Sequence, residues 1–515
     1  MLWKTTWSNP MQLTSEVRKM GQEAALANSF TQETYLVNGE QRKWQGEFSP
    51  VESHISSSES VQILGYVPTL GKEQALEAAH AASNAYAGGL GVWPQASVQE
   101  RVAAVMKFAG MMQDMKEEVV GWIVKEIGKS QKDAETEFDR TVAYITDTCV
   151  ALLEMSHEQG RPMTVGDVTA SVQYEARGVV LCMGPFNYPL NETFQTLIPA
   201  ILMGNTAIVK PARYGVLLFE PLQDAFQECF SPGVVNFVYG DGSEVIGPIM
   251  ESGMIDSLAF IGSTQVADIL IKQHPEPHRL HYVLGLATKN PALITETAEI
   301  EDTVAKTIPG SLSFNGQRCT SLALHLVADN IADEYAETFA RGVEKLVLGN
   351  PEDPGVQITP LAEGPRKILY LQMLIDDAVS KGAYVINEDG GSVQGNLFTP
   401  AVLYPVTPEM KIYHEPQFGP IVPIARMSDV AVAVQEIAKS TFRQQVSIFS
   451  SDETQALSIS NQLRRVVGRV NINQPCKRGP DELPFSAKGS SGIGTLSIKD
   501  ALLSFGVQSV VARNP

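Results

Sequence analysis

The chain has 515 residues, more than one hydrophobic core usually supports, so two or more domains are expected. Hydrophobic residues make up 44% and charged residues 19%, a balance typical of globular proteins. The formal charge of −19 disfavours nucleic acid and anionic membranes as main partners, because phosphate contacts need clustered Lys and Arg. No apolar run reaches the roughly 18 residues that span a bilayer. Residues 1–30 lack a secretory signal, so a cytoplasmic location is expected.

The cysteines are few and far apart, without a CxxC pair or a Cys/His cluster. They are Cys149, Cys182, Cys229, Cys319 and Cys476. An odd and sparse set in a long chain is typical of reduced thiols rather than a disulfide framework. No metal site is expected, because the ligand spacing of such sites is absent.

The first part of the chain is predicted to be mainly helical. Residues 1–33 are expected to form a loosely attached extension, and a short strand at 34–37 ends at the turn dipeptide Asn38-Gly39. Helices are expected at 72–86, at 98–127 with an interruption, and at 134–159. Ser97 and Glu100 have the spacing of a capping box at the start of the second helical stretch.

Short apolar strands alternate with amphipathic helices between residues 178 and 273. Strands are predicted at 178–183, 206–210, 234–239 and 257–261, and helices at 191–203, 216–230, 243–252 and 264–273. This order predicts an α/β fold with a parallel, doubly wound sheet. Ligands of such sheets bind at the carboxyl ends of the strands, here 184–187, 210–213, 240–242 and 262–264.

A second α/β region is expected from about residue 293 to residue 485. Its clearest elements are strands at 322–327 and 446–449 and helices at 331–346 and 365–381. Residues 507–512 have the pattern of a strand that is too exposed to stand alone. That strand is expected to pair with residues 171–174 or with a neighbouring subunit.

Two polar stretches are candidates for chemistry. Cys319 lies between polar residues, where most cysteines are inert, but the neighbouring Arg318 favours the nucleophilic thiolate. Asn187 follows a strand and is flanked by Pro185 and Pro189, so its amide could donate to an oxyanion. A structural turn is the alternative for that stretch.

Glycines and cations follow the predicted strands. Gly240, Gly242, Gly247 and Gly262 precede helices, where free backbone amides suit a pyrophosphate, although their spacing is not a GxGxxG motif. Lys210 and Arg213 lie at the end of one strand. They could hold a ribose 2′-phosphate or form a solvated pair.

Taken together and in this order, these stretches resemble the aldehyde dehydrogenase superfamily over about residues 35–512. The matching runs are FNYP at 186–189, GNTAIVKP at 204–211, FIGST at 260–264, GQRCT at 316–320 and FGP at 418–420. The narrower likeness is to non-phosphorylating, NADP-dependent glyceraldehyde-3-phosphate dehydrogenases. It is carried by NY at 187–188, QRC at 317–319 and RGPD at 478–481.

The resemblance implies a nucleophile and an oxyanion site. Cys319 would attack the aldehyde to give a thiohemiacetal, and Asn187 with the backbone amide of Cys319 would hold the oxyanion. Hydride transfer would leave a thioester that water hydrolyses. A homo-oligomer, either a dimer or a tetramer, is also implied.

The cofactor implied is NADP. Lys210 would contact the adenosine ribose, and Arg213 stands near the place where NAD-preferring relatives carry a glutamate. The cofactor contacts expected from the motifs are Lys210, Arg213, Gly242, Gly262, Ser263 and Phe418.

The resemblance also implies a small phosphorylated aldehyde as the substrate. Arg140, Tyr188, Arg318 and Arg478 stand where the glyceraldehyde-3-phosphate dehydrogenases hold the substrate phosphate. Arginine suits this role because its planar fork binds phosphate oxygens bidentately.

The same family fold implies domain limits. Residues 34–160 and 175–289 are expected to form the cofactor domain, and residues 290–495 the catalytic domain. Residues 161–174 and 496–515 are expected to form a small β arm that joins subunits.

Two positions depart from the family pattern. Gly285 stands in place of the general-base glutamate, with no carboxylate between Tyr282 and Thr295, and Pro416 replaces a glutamate that holds the nicotinamide ribose. A general base contributes about 10²–10⁴-fold to a rate. Three hypotheses about the function therefore stay open. They are a dehydrogenase with a relocated base, such as Glu296 or Glu299; a hydrolysis-deficient enzyme that passes the acyl group to a thiol such as coenzyme A; and a non-catalytic NADP-binding or structural homologue.

Overall fold

The computed structural model describes residues 30–53, 55 and 62–514. The strands of this part of the chain are β1 Phe30–Thr31, β2 Thr34–Val37, β3 Glu40–Lys43, β4 Phe48–Ser53, β5 Gln62–Pro68, β6 Met163–Val165, β7 Val168–Ala176, β8 Val179–Met183, β9 Thr206–Val209, β10 Val235–Phe237, β11 Ser257–Ile261, β12 His281–Gly285, β13 Asn290–Ile294, β14 Leu322–Ala328, β15 Tyr384–Val385, β16 Val393–Gln394, β17 Leu397–Phe398, β18 Ala401–Tyr404, β19 Ile421–Met427, β20 Phe442–Arg443, β21 Gln445–Phe449, β22 Arg469–Ile472, β23 Lys488–Gly489, β24 Gly492–Ile493 and β25 Gly506–Arg513.

The helices of the same part of the chain are α1 Lys72–Tyr86, α2 Val92–Gln95, α3 Val98–Asp114, α4 Lys116–Ile127, α5 Gln131–Glu158, α6 Asn191–Leu202, α7 Gln223–Cys229, α8 Gly242–Glu251, α9 Thr264–Gln273, α10 Ile300–Leu312, α11 Ala332–Val343, α12 Pro365–Ser380, α13 Lys411–His414, α14 Val430–Lys439, α15 Glu453–Leu463 and α16 Ile498–Ser504. Short 3₁₀ turns occur at Ala87–Gly89, Leu217–Phe219 and Ser313–Gly316. None of the helices within the described ranges is long and apolar enough to cross a membrane.

A six-stranded sheet with the order β10-β9-β8-β11-β12-β24 contains the predicted β/α alternation. The first five strands are parallel, and β24 pairs antiparallel with β12. The predicted α/β, doubly wound architecture is confirmed. The strand order reverses between β8 and β11, and ligands bind at such a switch point.

A seven-stranded sheet with the order β15-β18-β19-β14-β13-β21-β22 forms the second α/β unit. Its strands are parallel except for β15, which is antiparallel to β18. The predicted range 290–495 also contributes β24 to the six-stranded sheet, so the two units are joined by strand pairing as well as by the chain.

The C-terminal strand pairs within its own chain. Strand β25 is antiparallel to β7, with Val511 opposite Ser171 and Gln508 opposite Tyr174, and β6 completes a three-stranded arm. The predicted pairing of 507–512 with 171–174 is therefore confirmed. Several apolar side chains of this arm stay exposed, among them Val165 and Val511, both at 70%.

The structure corrects one predicted helix and shifts one boundary. The expected helix at 216–230 is broken into the 3₁₀ turn Leu217–Phe219 and α7. Pro221 lies between them and lacks the N–H that a continuous helix needs. Near the N-terminus, pairing begins already at Phe30–Thr31, which lies parallel to β5. The rest of the predicted extension, residues 1–29, lies outside the described residues.

Candidate active site

A cleft of about 490 Å³ opens at the carboxyl ends of β8, β9, β11 and β12. Residues from these four strand ends meet there with the loop that carries Cys319. The cleft brings together seven of the residues predicted from sequence, namely Asn187, Lys210, Arg213, Gly262, Ser263, Cys319 and Phe418.

The chain reaches Cys319 through a tight left-handed turn. Phe314, Asn315 and Gly316 have φ angles of 48°, 56° and 68° in succession. A Cβ atom on Gly316 would lie 2.8 Å from the carbonyl oxygen of Gly419, so only glycine fits at this position. Asn315 tolerates the turn because its side chain is fixed by two hydrogen bonds to Thr359, of 2.9 and 3.1 Å.

The nucleophile candidate is held by its backbone. The carbonyl oxygen of Cys319 accepts hydrogen bonds of 2.7 Å from Thr288 Oγ1 and from Asn290 Nδ2. Burial and, after it, the charge of Glu192 raise the pKa of the Cys319 thiol, which reaches about 11 although Arg478 and Arg318 oppose the shift. Arg318 therefore favours the thiolate, as expected from the sequence, but desolvation outweighs the nearby guanidinium groups and the net shift of the pKa is upward.

Asn187 lies beside the same loop. Its buried side-chain amide donates from Nδ2 to the carbonyl oxygen of Gln317 at 2.8 Å. A primary amide has two N–H groups, so the second can donate into the cleft. This contact orients the amide toward the segment that presents Cys319.

A second cavity of about 420 Å³ shares the stretch 210–213 with the first. It extends past Gly240 and Gly242 at the start of α8, whereas Gly247 lies inside that helix. Burial lowers the pKa of Lys210 to about 8, opposed by the charge of Asp241. Arg213 is exposed at the junction of the two cavities.

The two cavities together fit an elongated, anionic dinucleotide. Lys210 and Arg213 line both cavities and supply positive charge where the cavities meet. Helix α9 begins with its N-terminus at the first cavity, where Ser263 caps the amide of Val266 and the buried Thr264 Oγ1 has no hydrogen-bond partner among the described residues. Such helix ends favour phosphate groups.

Aromatic rings close the cleft on the side of Phe418. The Phe418 ring meets Phe186 edge-on at 6.0 Å between ring centroids, and Lys367 Nζ lies 5.7 Å from the Phe418 centroid. Lys367 is buried, and this burial lowers its pKa. Pro416 lines the cleft at the position where the family places a glutamate, so it offers no group that could hold a ribose hydroxyl.

Two of the predicted phosphate-binding arginines are paired with carboxylates. Arg140 Nη2 donates to Asp481 Oδ1 at 2.8 Å, and Arg478 Nη1 donates to Glu192 Oε2 at 2.8 Å. Arg478 is 6% exposed and also donates to the carbonyl oxygen of Leu496 at 3.2 Å. These arginines do not line the cleft around Cys319, but Arg478 is close enough to lower the pKa of its thiol.

The other two members of that set have different surroundings. Arg318 Nη2 donates to Thr320 Oγ1 at 3.1 Å, and no carboxylate within the described ranges forms an ion pair with it. Lys129 Nζ lies 3.4 Å from the centroid of the Tyr188 ring, and this ring meets the Phe314 ring edge-on. Neither side chain lines the cleft.

The structure excludes two of the suggested replacements for the missing base. Gly285, at the end of β12, lines the cleft, and so does Ala287. Glu296 and Glu299 are exposed and lie away from it, with Glu296 accepting a hydrogen bond from Gln455. The hypothesis that one of these glutamates is the relocated base is wrong.

The sequence reasoning missed Glu192. It lies in the first turn of α6 and, among the described residues that line the cleft, is the one carboxylate. A usable signal was present in the sequence, because Glu192 is the single charged residue of the mainly apolar helix predicted at 191–203. Charged side chains are rarely buried without a partner or a function.

The nucleophile, the amide donor and the strand-end cleft define the class of an aldehyde-oxidising dehydrogenase. The profile of the aldehyde dehydrogenase family matches residues 49–510. The chain therefore belongs to the aldehyde dehydrogenase family and is an oxidoreductase.

Similar proteins share a narrower description. The NADP-dependent glyceraldehyde-3-phosphate dehydrogenase of Streptococcus equinus is 33% identical over 472 residues, which cover 90% of this chain and 94% of the relative. The protein of that name from Pisum sativum is 30% identical, with 80% and 82% covered. The crystal structure of the Bacillus halodurans C-125 enzyme complexed with NADP superposes with a TM-score of 0.87 at 32% identity, covering 93% and 99%.

Proposed function

We propose that the protein oxidises a small phosphorylated aldehyde, glyceraldehyde 3-phosphate or a close analogue, to the acid with NADP. The observation that carries the proposal is the position of Cys319. It faces a cleft that continues to Lys210 and Arg213, and the charges of Arg318 and Arg478 act on its sulfur. The names of the similar proteins point the same way.

The residues of the cleft divide the reaction between them. The Cys319 sulfur attacks the aldehyde carbon, and the free N–H of Asn187 with the backbone amide of Cys319 stabilises the oxyanion of the thiohemiacetal. When bound, NADP supplies the hydride acceptor. Water then hydrolyses the Cys319 thioester and releases the acid.

The choice of NADP over NAD is assigned to Arg213. A charge-assisted hydrogen bond is worth about 1.5–3 kcal/mol, so Arg213→Glu is expected to weaken NADP binding by about 10- to 100-fold. NAD, which lacks the 2′-phosphate, is expected to bind nearly as before. Fluorescence titration of both dinucleotides measures the ratio, and Arg213→Gln is the size-matched control. An equal loss for NADP and NAD would contradict the assignment.

The phosphate of the substrate is assigned first to Arg318, whose guanidinium has no carboxylate partner within the described ranges. Arg318→Leu is expected to raise the KM for glyceraldehyde 3-phosphate relative to unphosphorylated glyceraldehyde by about 10- to 100-fold, the worth of one charge-assisted contact. The comparison of two substrates is needed because Arg318 also lowers the pKa of Cys319.

Arg318→Lys is the control for this experiment, since it keeps the charge but loses the bidentate fork. An intermediate ratio is expected for it. If Arg318→Leu lowers activity toward both aldehydes equally, the arginine does not recognise the phosphate and the substrate class is wrong.

A second candidate function is favoured by Gly285 and Ala287, which leave the usual position of the base without a carboxylate. In that case the acyl group passes to a thiol such as coenzyme A. Stopped-flow absorbance of NADPH formation from glyceraldehyde 3-phosphate with excess NADP distinguishes these hypotheses. Multiple turnovers in water support the acid-forming dehydrogenase, and a single burst rescued by coenzyme A supports acyl transfer. The absence of a burst in protein that binds NADP supports the hypothesis of a non-catalytic homologue.

We also propose that the three-stranded arm of β6, β7 and β25 joins copies of the chain. Its exposed apolar side chains include Met163 at 54%, Val510 at 59% and Val511 at 70%. Exposed strand edges with apolar side chains are usually covered. Light scattering gives the oligomeric state directly.

A further inference from the structure

We propose that Glu192 is the general base that hydrolyses the Cys319 thioester. The inference rests on the proposed function only in taking Cys319 as the residue that becomes acylated. Hydrolysis needs a group that accepts a proton from water within hydrogen-bonding reach of the thioester. Gly285 and Ala287 line the cleft at the end of β12 and have no such group.

Glu192 is the carboxylate of the cleft. It lines the same cavity as Cys319 and Asn187, and no other Asp or Glu of the described residues lines it. Position 192 comes five residues after Asn187 on the same continuous segment, in the first turn of α6, and all twelve residues of that helix are buried. A base needs a fixed position, because a small displacement of the proton acceptor slows the reaction strongly.

The ion pair with Arg478 explains how a buried carboxylate can persist. The Glu192 side chain is 8% exposed, and Arg478, at 6%, donates to its Oε2 at 2.8 Å. An unpaired charge at this depth would be strongly destabilising. The guanidinium occupies Oε2, so Oε1 is the oxygen that can accept a proton from water in the cleft.

The electrostatics of Cys319 give an independent indication of proximity. After burial, the charge of Glu192 is the largest cause that raises the pKa of the Cys319 thiol, ahead of the opposing Arg478 and Arg318. Coulombic effects of this kind fall off with distance. The direction of this effect agrees with the geometry, in which Glu192 and Cys319 line the same cavity.

The step balances without any other reactant. The water oxygen forms a bond to the thioester carbon, and its proton passes to the Glu192 carboxylate. The bond between carbon and sulfur breaks, and the Cys319 thiolate leaves with the electron pair. The proton on Glu192 then moves to the thiolate, which takes it up readily because burial raises the pKa of the Cys319 thiol. The carboxylate is restored for the next turnover.

The test uses p-nitrophenyl acetate, which acylates a reactive cysteine without NADP or an aldehyde. The unaltered protein is expected to release a burst of p-nitrophenolate, one per Cys319, followed by steady turnover. Glu192→Gln is expected to keep the burst and to slow the steady rate by about 10²-fold or more. Hydroxylamine, which attacks a thioester without a base, is expected to restore turnover in this variant.

Glu296→Gln is the matched control, because it makes the same change at an exposed carboxylate outside the cleft, and an unaltered steady rate is expected. The proposal is overturned if Glu192→Gln keeps the full steady rate, if it loses the burst, or if hydroxylamine fails to restore turnover. An absent burst in the unaltered protein overturns both the proposal and the role of Cys319.

The two proposals can fail separately. If hydrolysis of the ester depends on Glu192 while glyceraldehyde 3-phosphate yields no NADPH, the substrate assignment is wrong and the role of Glu192 as general base is supported. If Glu192→Gln oxidises glyceraldehyde 3-phosphate with multiple turnovers as fast as the unaltered protein, Glu192 is not the general base and the proposed dehydrogenase activity is supported.

Discussion

Replacing Cys319 by serine is expected to reduce NADPH formation from glyceraldehyde 3-phosphate by about 10⁴-fold or more, the scale of losing a covalent nucleophile. A serine hydroxyl is a much poorer nucleophile than sulfur unless a strong base activates it. The affinity for NADP is expected to stay nearly unchanged, because the substitution leaves Lys210 and Arg213 in place, the cations that line both cofactor cavities. Absorbance at the NADPH band and fluorescence titration measure the two properties.

Cys476→Ser is the matched control for this substitution. Cys476 is buried, burial raises its pKa to about 12, and its sulfur lies 3.3 Å from Ser447 Oγ, outside the cleft. Its replacement is expected to leave NADPH formation close to that of the unaltered protein. If Cys319→Ser kept full activity, the nucleophile would be a different residue and the proposed chemistry would be wrong.

The second large effect is expected from returning a carboxylate to the end of β12. Gly285→Glu in the Glu192→Gln background is expected to raise the steady rate of thioester hydrolysis by about 10²-fold over Glu192→Gln alone. Gly285 lines the cleft with Cys319, and its φ angle lies outside the left-handed region. A Cβ atom there would lie 3.3 Å from two side-chain atoms of Ile261, so a small shift of that side chain suffices.

Gly285→Gln in the same background separates charge from size. It adds a side chain of the same length that cannot take up a proton, and no gain in the steady rate is expected. The measurement is p-nitrophenolate release after the burst, with NADPH formation as a second readout. Equal rates for the glutamate and glutamine variants would show that a carboxylate at position 285 cannot reach the thioester.

Local patterns predicted much of the architecture. The bounds expected for β11, α9 and α1 agree with the structure, and so does the capping box of Ser97 and Glu100. These features depend on residues close together in the chain, where hydrophobic period and cap chemistry act. The break of the expected helix at 216–230 was missed, although Pro221 was a local signal for it.

The sequence by itself determined the family, the alternating α/β order, the motif that carries Cys319 and the loss of a carboxylate at position 285. Only the tertiary structure decided which charges meet. Arg478 pairs with Glu192 across 286 residues of chain, and Arg140 with Asp481 across 341.

Those pairings decide whether an arginine is free for phosphate and which carboxylate faces the nucleophile, while burial raises the pKa of the Cys319 thiol. The physical reason is that desolvation and charge compensation depend on every segment packed around a group. Neighbours in the chain supply only a part of that environment, as the opposing effects of Arg318 and burial on Cys319 illustrate.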